Sequence, residues 1–195
     1  MRIFALLIAL ALPPVGLLAQ EQDLPSQDQL KQLLKNKIRS VQHMALNPTV
    51  VRATRRQNSE KLSLELIKER DDAWKSTEEL TQFKRSLQEN EAGRFLERVI
   101  GINKSFNEAF VTDNQGANVA AFPATSDYWQ GDEEKWTASF NGGSGQIFLG
   151  PVEYDDSTQT YAVQVSAPLY DRGQTIGVLV VGVTLDYLKT KQADR

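Results

Sequence analysis

The sequence contains no cysteine and only one histidine, His43, among its 195 residues. A chain without cysteine forms no disulfide and offers no thiolate to a metal, so it must be held together by its apolar core. The histidine falls in the middle of a helical pattern, where it is expected to be a helix-face or partly buried packing residue. These two absences argue against a zinc enzyme and against a serine or cysteine hydrolase, because both chemistries depend on imidazole or thiolate groups. The sequence therefore predicts a protein that is not an enzyme.

An excess of positive charge is also absent. The chain has 22 basic and 25 acidic residues, a formal net charge of −3 and a pI near 5.3. Nucleic-acid-binding domains normally carry a basic face or stripe, and this balance does not provide one. We therefore expect no nucleic-acid partner.

Long apolar runs are missing except at the start. Met1 and Arg2 are followed by "IFALLIALAL" and then by "LLAQ", in which Ala19 is a small residue suited to a cleavage site. The run is shorter than the roughly 20 residues that span a bilayer, so residues 1–19 are predicted to be a secretory signal peptide. An uncleaved N-terminal anchor is the alternative. Export without cysteine favours a bacterial periplasm.

Helical periodicity dominates the first part of the chain, residues 20–100. Apolar residues recur there at steps of three and four, which predicts amphipathic helices. Asn47-Pro48 should interrupt the first helix, and Ser76 with Glu79 has the spacing of a capping box that would open a later helix. The first stripe comprises Leu30, Leu33, Leu34, Ile38, Val41 and Ala45.

Residues 101–190 have a different sequence pattern, in which short apolar runs are separated by turn residues. "FNEAFVTDNQGANVAAF" predicts a hairpin around Gly116, and "DRGQ" predicts a second tight turn. About five strands joined mostly by hairpins predict an antiparallel sheet. Because the helices come first and must cover one face of it, the fold class is α+β. Residues 191–195 are expected to be a tail.

The motifs that could hold a cofactor or a metal have simpler explanations. "NGGSGQ" at 141–146 precedes a strand, whereas a phosphate-binding loop precedes a helix, so it predicts a flexible turn. Adjacent acidic pairs such as Asp155-Asp156 are typical of solvated turns. We therefore predict no cofactor and no metal site.

One segment stands out, "SDYWQGDEEKW" at 126–136. It places Tyr128, Trp129 and Trp136 among acidic side chains around a glycine. The rings could pack as a plug between the helices and the sheet. They could instead form a lid, because aromatic rings provide apolar walls whose faces attract cations. Nearby carboxylates could then hold an amine, or Lys135, Arg172 or Lys104 could hold a carboxylate.

The second part of the chain resembles the Cache (PDC, PAS-like) extracytoplasmic sensor domains. The resemblance rests on "AFVTDNQGANVAAF", on "SDYWQGDEEKW" and on "GPVEYDDSTQTYAVQVSAPLYDRGQTIGVLVVGVTLDYL", in that order over residues 100–190. It implies a PAS-like five-stranded antiparallel sheet with long N-terminal helices packed on one face. It also implies a small-molecule pocket between the open face of the sheet and the segment after the first hairpin.

The resemblance assigns ligand-binding roles to six residues. Tyr128, Trp129 and Trp136 would be lid residues, Tyr154 and Tyr161 would flank the pocket, and Asp186 would lie at the end of the fifth strand. Strand alternation puts Tyr161, Val163 and Val165 on one face and Ala162 and Gln164 on the other, without indicating which face binds the ligand.

Two departures from the family pattern refine this expectation. The amino-acid-binding subgroup has an arginine where this chain has Glu134, and Trp136 is followed by Thr137, so that mode of amino-acid recognition is not predicted. The sequence also ends shortly after the fifth strand, which suggests a stand-alone form without an output domain.

The function predicted from the sequence is periplasmic, non-catalytic binding of a small metabolite, an amine or a carboxylate. The loaded protein would signal through a membrane receptor or transporter, and a homodimer is possible. The alternative is a protein–protein interaction module whose pocket is collapsed onto its own aromatic rings.

Overall fold

The computed structural model describes residues 26–155 and 160–185, so the predicted signal peptide lies outside the described residues. Within them, helices come first and an antiparallel sheet follows. The helices are α1 (Gln27–Ala45), α2 (Pro48–Glu60), α3 (Leu64–Lys75), α4 (Gln82–Glu89), α5 (Glu91–Ile102) and α6 (Glu134–Phe140). The strands are β1 (Phe106–Thr112), β2 (Asn118–Phe122), β3 (Phe148–Asp155), β4 (Thr160–Asp171) and β5 (Gln174–Thr184). The α+β class predicted from the sequence is confirmed.

Local capping sets the starts of the leading helices. Ser26 and Gln29 form a reciprocal capping box at the start of α1. Asn47 caps α2 through the backbone N–H of Thr49 at 2.9 Å, and Pro48 occupies the first turn, where its missing N–H costs nothing. The predicted interruption at Asn47-Pro48 is therefore confirmed.

The capping box predicted at Ser76 and Glu79 is wrong. Ser76 ends α3, and its backbone N–H donates to the carbonyl of Asp72. The next helix begins later, where Thr81 accepts a hydrogen bond from the N–H of Lys84. The spacing was right for a cap, but a Ser can end one helix as readily as begin another, and the pattern alone does not distinguish the two.

The strands form one sheet in the order β2-β1-β5-β4-β3, with every neighbouring pair antiparallel. Hairpins join β1 to β2 through Asp113–Ala117 and β4 to β5 through Arg172-Gly173, as the turn signals predicted. The last strand in sequence, β5, lies in the centre of the sheet. This position explains why β5 is almost wholly apolar, since it is covered on both faces.

The main core lies between one face of the sheet and helices α1, α2 and α5. Val163 and Val165 of β4 and Leu179, Val181 and Val183 of β5 point into it. Alternation then directs Ala162, Gln164 and Ser166 to the opposite face. The helices thus cover one face, as predicted, and the other face is left for a second layer.

Helix α2 is also hydrogen-bonded to the first hairpin. The Gln57 amide donates to the Asp113 carboxylate at 2.9 Å, and the Asn58 amide donates to the carbonyl of Ile176 at 2.8 Å. Asn58 in turn accepts from the backbone N–H of Asn114. These bonds fix the end of the sheet that carries both tight turns against the helical layer.

Candidate functional site

The face of the sheet opposite the long helices is only partly covered. Helix α6 packs the rings of Trp136 and Phe140 against Phe110 of β1 and against Val178 and Val180 of β5. The two α6 rings stack with centroids 4.8 Å apart and planes 10° apart. Trp136 thus lies on the open face and is half-buried against the sheet.

Beyond α6, the same face forms a cleft of about 340 Å³. Its volume is in the range of small-molecule sites, which begin at about 300 Å³. Strands β1, β3, β4 and β5 all contribute, together with the start of the segment after β2. The lining residues are Asn107, Glu108, Pro123, Gly150, Pro151, Glu153, Tyr154, Ala162, Val163, Gln164 and Gly182.

A row of residues across three strands forms the centre of this cleft. Glu108 on β1 and Gln164 on β4 are both register partners of Gly182 on β5, which lies between them. The Gln164 amide Nε2 donates to Glu108 Oε1 at 2.8 Å. A Cβ at position 182 would lie 2.3 Å from Asn107 Oδ1 and 2.6 Å from Glu108 Cγ, so only glycine leaves room for the two polar side chains here.

Tyr128 and Trp129 occupy a different place from the cleft. Tyr128 is 1% exposed and lies in a cluster with Trp74 and Phe83 of the helical layer, with ring centroids 5.9 and 5.2 Å away. Trp129 packs against the same cluster, and its Nε1 donates to the carbonyl of Gln115 at 2.8 Å. These two rings join the first hairpin to α3 and α4, and neither lines the cleft.

Burial changes the titration of two groups in this region. It raises the pKa of Asp113 above its usual value, although Gln57 and the N–H groups of the hairpin turn partly oppose this by hydrogen bonding to the carboxylate. Burial likewise raises the pKa of the Tyr128 hydroxyl, and a hydrogen bond with Arg70 opposes that change. Both groups are structural anchors of the hairpin and of the segment that crosses it.

The two tyrosines from the outer strands form a cross-strand pair. Tyr154 and Tyr161 are register partners, and their rings meet edge to face with centroids 5.3 Å apart. Tyr161 packs against the main core, while Tyr154 is 52% exposed and contributes to the cleft lining. Asp186, the sixth expected site residue, lies outside the described residues.

Sequence reasoning missed the row formed by Glu108, Gly182 and Gln164. The signal that could have found it is a polar residue on the outward face of an otherwise apolar strand. Gln164 stands between Val163 and Val165, and Gly182 stands between Val181 and Val183. Without the strand order, nothing shows that the two positions are adjacent and that Glu108 completes the row.

In residues 26–155 and 160–185, no helix has the length and apolar character needed to cross a membrane. In the same residues, no three His, Asp or Glu side chains are grouped as metal ligands.

No protein-family model matches the sequence, and no curated protein matches it. Solved structures, however, share its fold. The sensor domain of DcuS from E. coli is 18% identical, with a TM-score of 0.50, and the match covers 85% of this chain and 97% of that chain.

A second similar structure is the ligand-binding domain of the amino acid chemoreceptor PctC from Pseudomonas aeruginosa PAO1, in complex with GABA. It is 12% identical, with a TM-score of 0.50, and the match covers 84% of this chain. The chain spans 58% of the length of that domain. At these identities the likeness is one of fold.

Proposed function

The chain has the fold of the Cache (PDC, PAS-like) sensor domains, and from this premise we propose that it is a non-catalytic, extracytoplasmic protein that binds a small metabolite. The observation that carries the proposal is the cleft of about 340 Å³ on the sheet face opposite the long helices. That face is the one on which the resemblance expects a ligand. Its polar row of Glu108 and Gln164, flanked by apolar and polar lining residues, is the kind of feature that orients a small molecule.

Helix α6 is the element we propose to respond to the ligand. It covers the sheet from Phe110 onward, and Glu108, two residues away on the same strand face, already belongs to the cleft. A ligand can shift α6 only if it binds the two positions of the helix with different affinity. Tyr128 and Trp129 would stay fixed, because they are bonded to the helical layer, so Trp136 is the lid residue in this proposal.

The loaded protein would signal through a partner, a membrane receptor or a transporter. The predicted signal peptide supports a periplasmic location. N-terminal sequencing of the protein recovered from the periplasmic fraction tests this, with cleavage after Ala19 as the expected result. Recovery of the uncleaved chain in the membrane fraction would support the anchor instead.

A thermal-shift screen of metabolites tests the binding function. We expect at least one compound class to raise the melting temperature in a concentration-dependent way, because a ligand that binds only the native state stabilises it. Native mass spectrometry of protein purified from its own periplasm should show a small co-purified mass. No stabilisation by any class, together with no bound mass, would contradict the proposal.

A second candidate function is a protein–protein interaction module with a collapsed pocket. The observation that favours it is the stacked pair Trp136 and Phe140, which fills the space over Phe110 where a ligand could otherwise lie. This function predicts self-association that does not change with metabolites. Sedimentation velocity with and without the stabilising compounds separates the two candidates.

A further inference from the structure

The charged groups in the cleft are all negative, and its other polar side chains, two amides and a phenol hydroxyl, can accept as well as donate hydrogen bonds. Glu108 and Glu153 provide carboxylates, and among the described lining residues there is no lysine or arginine. Lys135 lies on the same sheet face, with its ammonium 5.6 Å from the centre of the Phe110 ring. It is paired with Glu133 at 3.6 Å and is not part of the lining.

The hydrogen bond between Gln164 and Glu108 orients both side chains without using up their acceptors. An ionised carboxylate has about four lone-pair positions, and the bond from Gln164 Nε2 to Glu108 Oε1 uses one of them. Because the Gln164 amide donates through nitrogen, its own carbonyl oxygen keeps its lone pairs for another donor. Gly182, which lies between them on β5, adds no side chain, so this part of the cleft stays open to a ligand.

A protonated amine matches this arrangement, and a carboxylate does not. An ammonium group donates three hydrogen bonds and accepts none, which suits a row of acceptors with negative charge. A carboxylate ligand would lose its water next to Glu108 without gaining a cationic partner from the described lining, and this is unfavourable. The half-buried position of Glu108 strengthens the effect, since charges interact more strongly away from bulk water.

We propose that the cleft binds a cationic, amine-bearing small molecule, and that Glu108 is the residue that receives its ammonium group, held in place by Gln164. This inference rests on the proposed small-molecule-binding function and names the ligand class for that site. The cleft has room for a short amine rather than for a large cofactor.

The experiment uses two probes with the same carbon skeleton and opposite charge, putrescine and succinate, followed by a wider set of amines and carboxylates. Thermal shift and calorimetry are measured on the wild type and on Glu108→Gln, which keeps the shape of the side chain and removes its charge. Glu97→Gln, at an exposed position on α5, is the matched control. Melting curves without ligand show whether each variant is folded.

We expect amines and not carboxylates to stabilise the wild type. Glu108→Gln should weaken amine binding roughly tenfold to a hundredfold, the range for losing a hydrogen bond to a charged group, and Glu97→Gln should leave it unchanged. Gly182→Ala should weaken binding as well, because the added methyl displaces Glu108.

The other outcomes separate this inference from the proposed function. Stabilisation by carboxylates alone would overturn the cationic class while leaving small-molecule binding intact. Amine binding that survives Glu108→Gln would overturn the role of this residue. If neither amines nor carboxylates bind or stabilise the wild type, the inference is overturned. The metabolite screen and native mass spectrometry then test the proposed function independently.

Discussion

The carboxylate of Asp71, on α3, accepts a hydrogen bond from the backbone N–H of Tyr128 at 2.8 Å, although 57 residues separate them in the chain. The same oxygen accepts from the N–H of Trp129 at 3.0 Å. Asp71 is 5% exposed, and Lys75 balances its charge at 2.6 Å. One acidic side chain of the helical layer thus holds the segment that follows the first hairpin.

Replacing Asp71 with alanine should destabilise the fold by about 2 to 3 kcal/mol, because one buried and one partly buried N–H group lose a charged acceptor. Urea unfolding measures the change in free energy. Asp72→Ala, at the exposed neighbouring position, is the control and should cost little. Hydrogen exchange at the amides of Tyr128 and Trp129 should accelerate only in the first variant. Equal losses in the two variants would contradict the anchoring role.

Gly116 should tolerate no larger residue. Its φ is +85°, and a Cβ there would lie 2.4 Å from the Cα of Gly131. Gly116→Ala is expected to cost about 3 kcal/mol or more, from backbone strain and the steric clash together.

Gly142→Ala isolates the strain, because φ is +59° at Gly142 and nothing lies within 4 Å of a Cβ there. It should cost only about 1 kcal/mol, the penalty for a left-handed residue with a side chain. Thermal and urea unfolding of both variants provide the comparison. A Gly116→Ala protein no less stable than Gly142→Ala would show that the close approach to Gly131 is not required.

Asp113 should lower the stability of the fold as it ionises. Burial raises its pKa above the ordinary value of 3.8, so the native state binds this proton more readily than the unfolded state does. The contribution of Asp113 to the free energy of unfolding is therefore greatest below pH 3.8. It is lost as the pH rises through the pKa of Asp113 in the native state.

The test compares wild type with Asp113→Asn by urea unfolding between about pH 3 and pH 7. The substitution also has a cost that does not depend on pH. The change with pH in the difference between the unfolding free energies of wild type and variant therefore reports the ionisation of Asp113 alone. Wild type should lose stability relative to the variant as the pH rises. A difference that grows in favour of wild type would mean that the hydrogen bonds to the carboxylate outweigh its burial.

Phe140→Ala should expose the face of the sheet under α6. The ring is half-buried and stacked on Trp136, so we expect a cost of about 2 kcal/mol, below the 3 to 5 kcal/mol of a fully buried phenylalanine. Thr137→Ala, on the exposed side of the same helix, is the control. Urea unfolding measures both, and the near-ultraviolet circular dichroism of Trp136 should change only in Phe140→Ala. A cost no greater than that of the control would contradict the packing.

Arg55 and Asp171 should show measurable coupling. Arg55 donates through Nε and through Nη2 to the two carboxylate oxygens, each at 2.8 Å, and this links α2 to the end of β4. Because the arginine is half-exposed, a double-mutant cycle should give only about 0.5 to 1 kcal/mol, decreasing with salt. The cycle for Lys31 and Asp28, which are 3.9 Å apart and largely exposed, should give a value near zero. Equal values for the two cycles would show that the bidentate geometry adds nothing.

Much of the fold could be predicted because it depends on local patterns. The Leu30 to Ala45 stripe marks α1, Asn47-Pro48 marks its end, and the turn residues at Gly116 and Gly173 mark two hairpins. Alternation along β4 correctly separated Val163 and Val165 from Gln164. The error at Ser76 is of the same local kind, since a serine can end a helix or start one.

The candidate site could be predicted only in part. The sequence directed attention to Tyr128, Trp129 and Trp136 as a set, because they share one segment. The structure divides them: Tyr128 and Trp129 join the helical layer, and Trp136 covers the open sheet face. The division depends on Asp71 and Gln115, whose partnership with this segment no short-range pattern encodes.

The sequence by itself determined the helical first part, the antiparallel sheet and the division of the β4 residues between two faces, because these follow from spacing and turn chemistry. Only the tertiary structure decided the position of the candidate cleft. Glu108 and Gln164 are 56 residues apart and meet across Gly182 because β5, the last strand of the chain, inserts between β1 and β4. That adjacency is created by strand order, and strand order is settled by how the whole core packs rather than by any one segment.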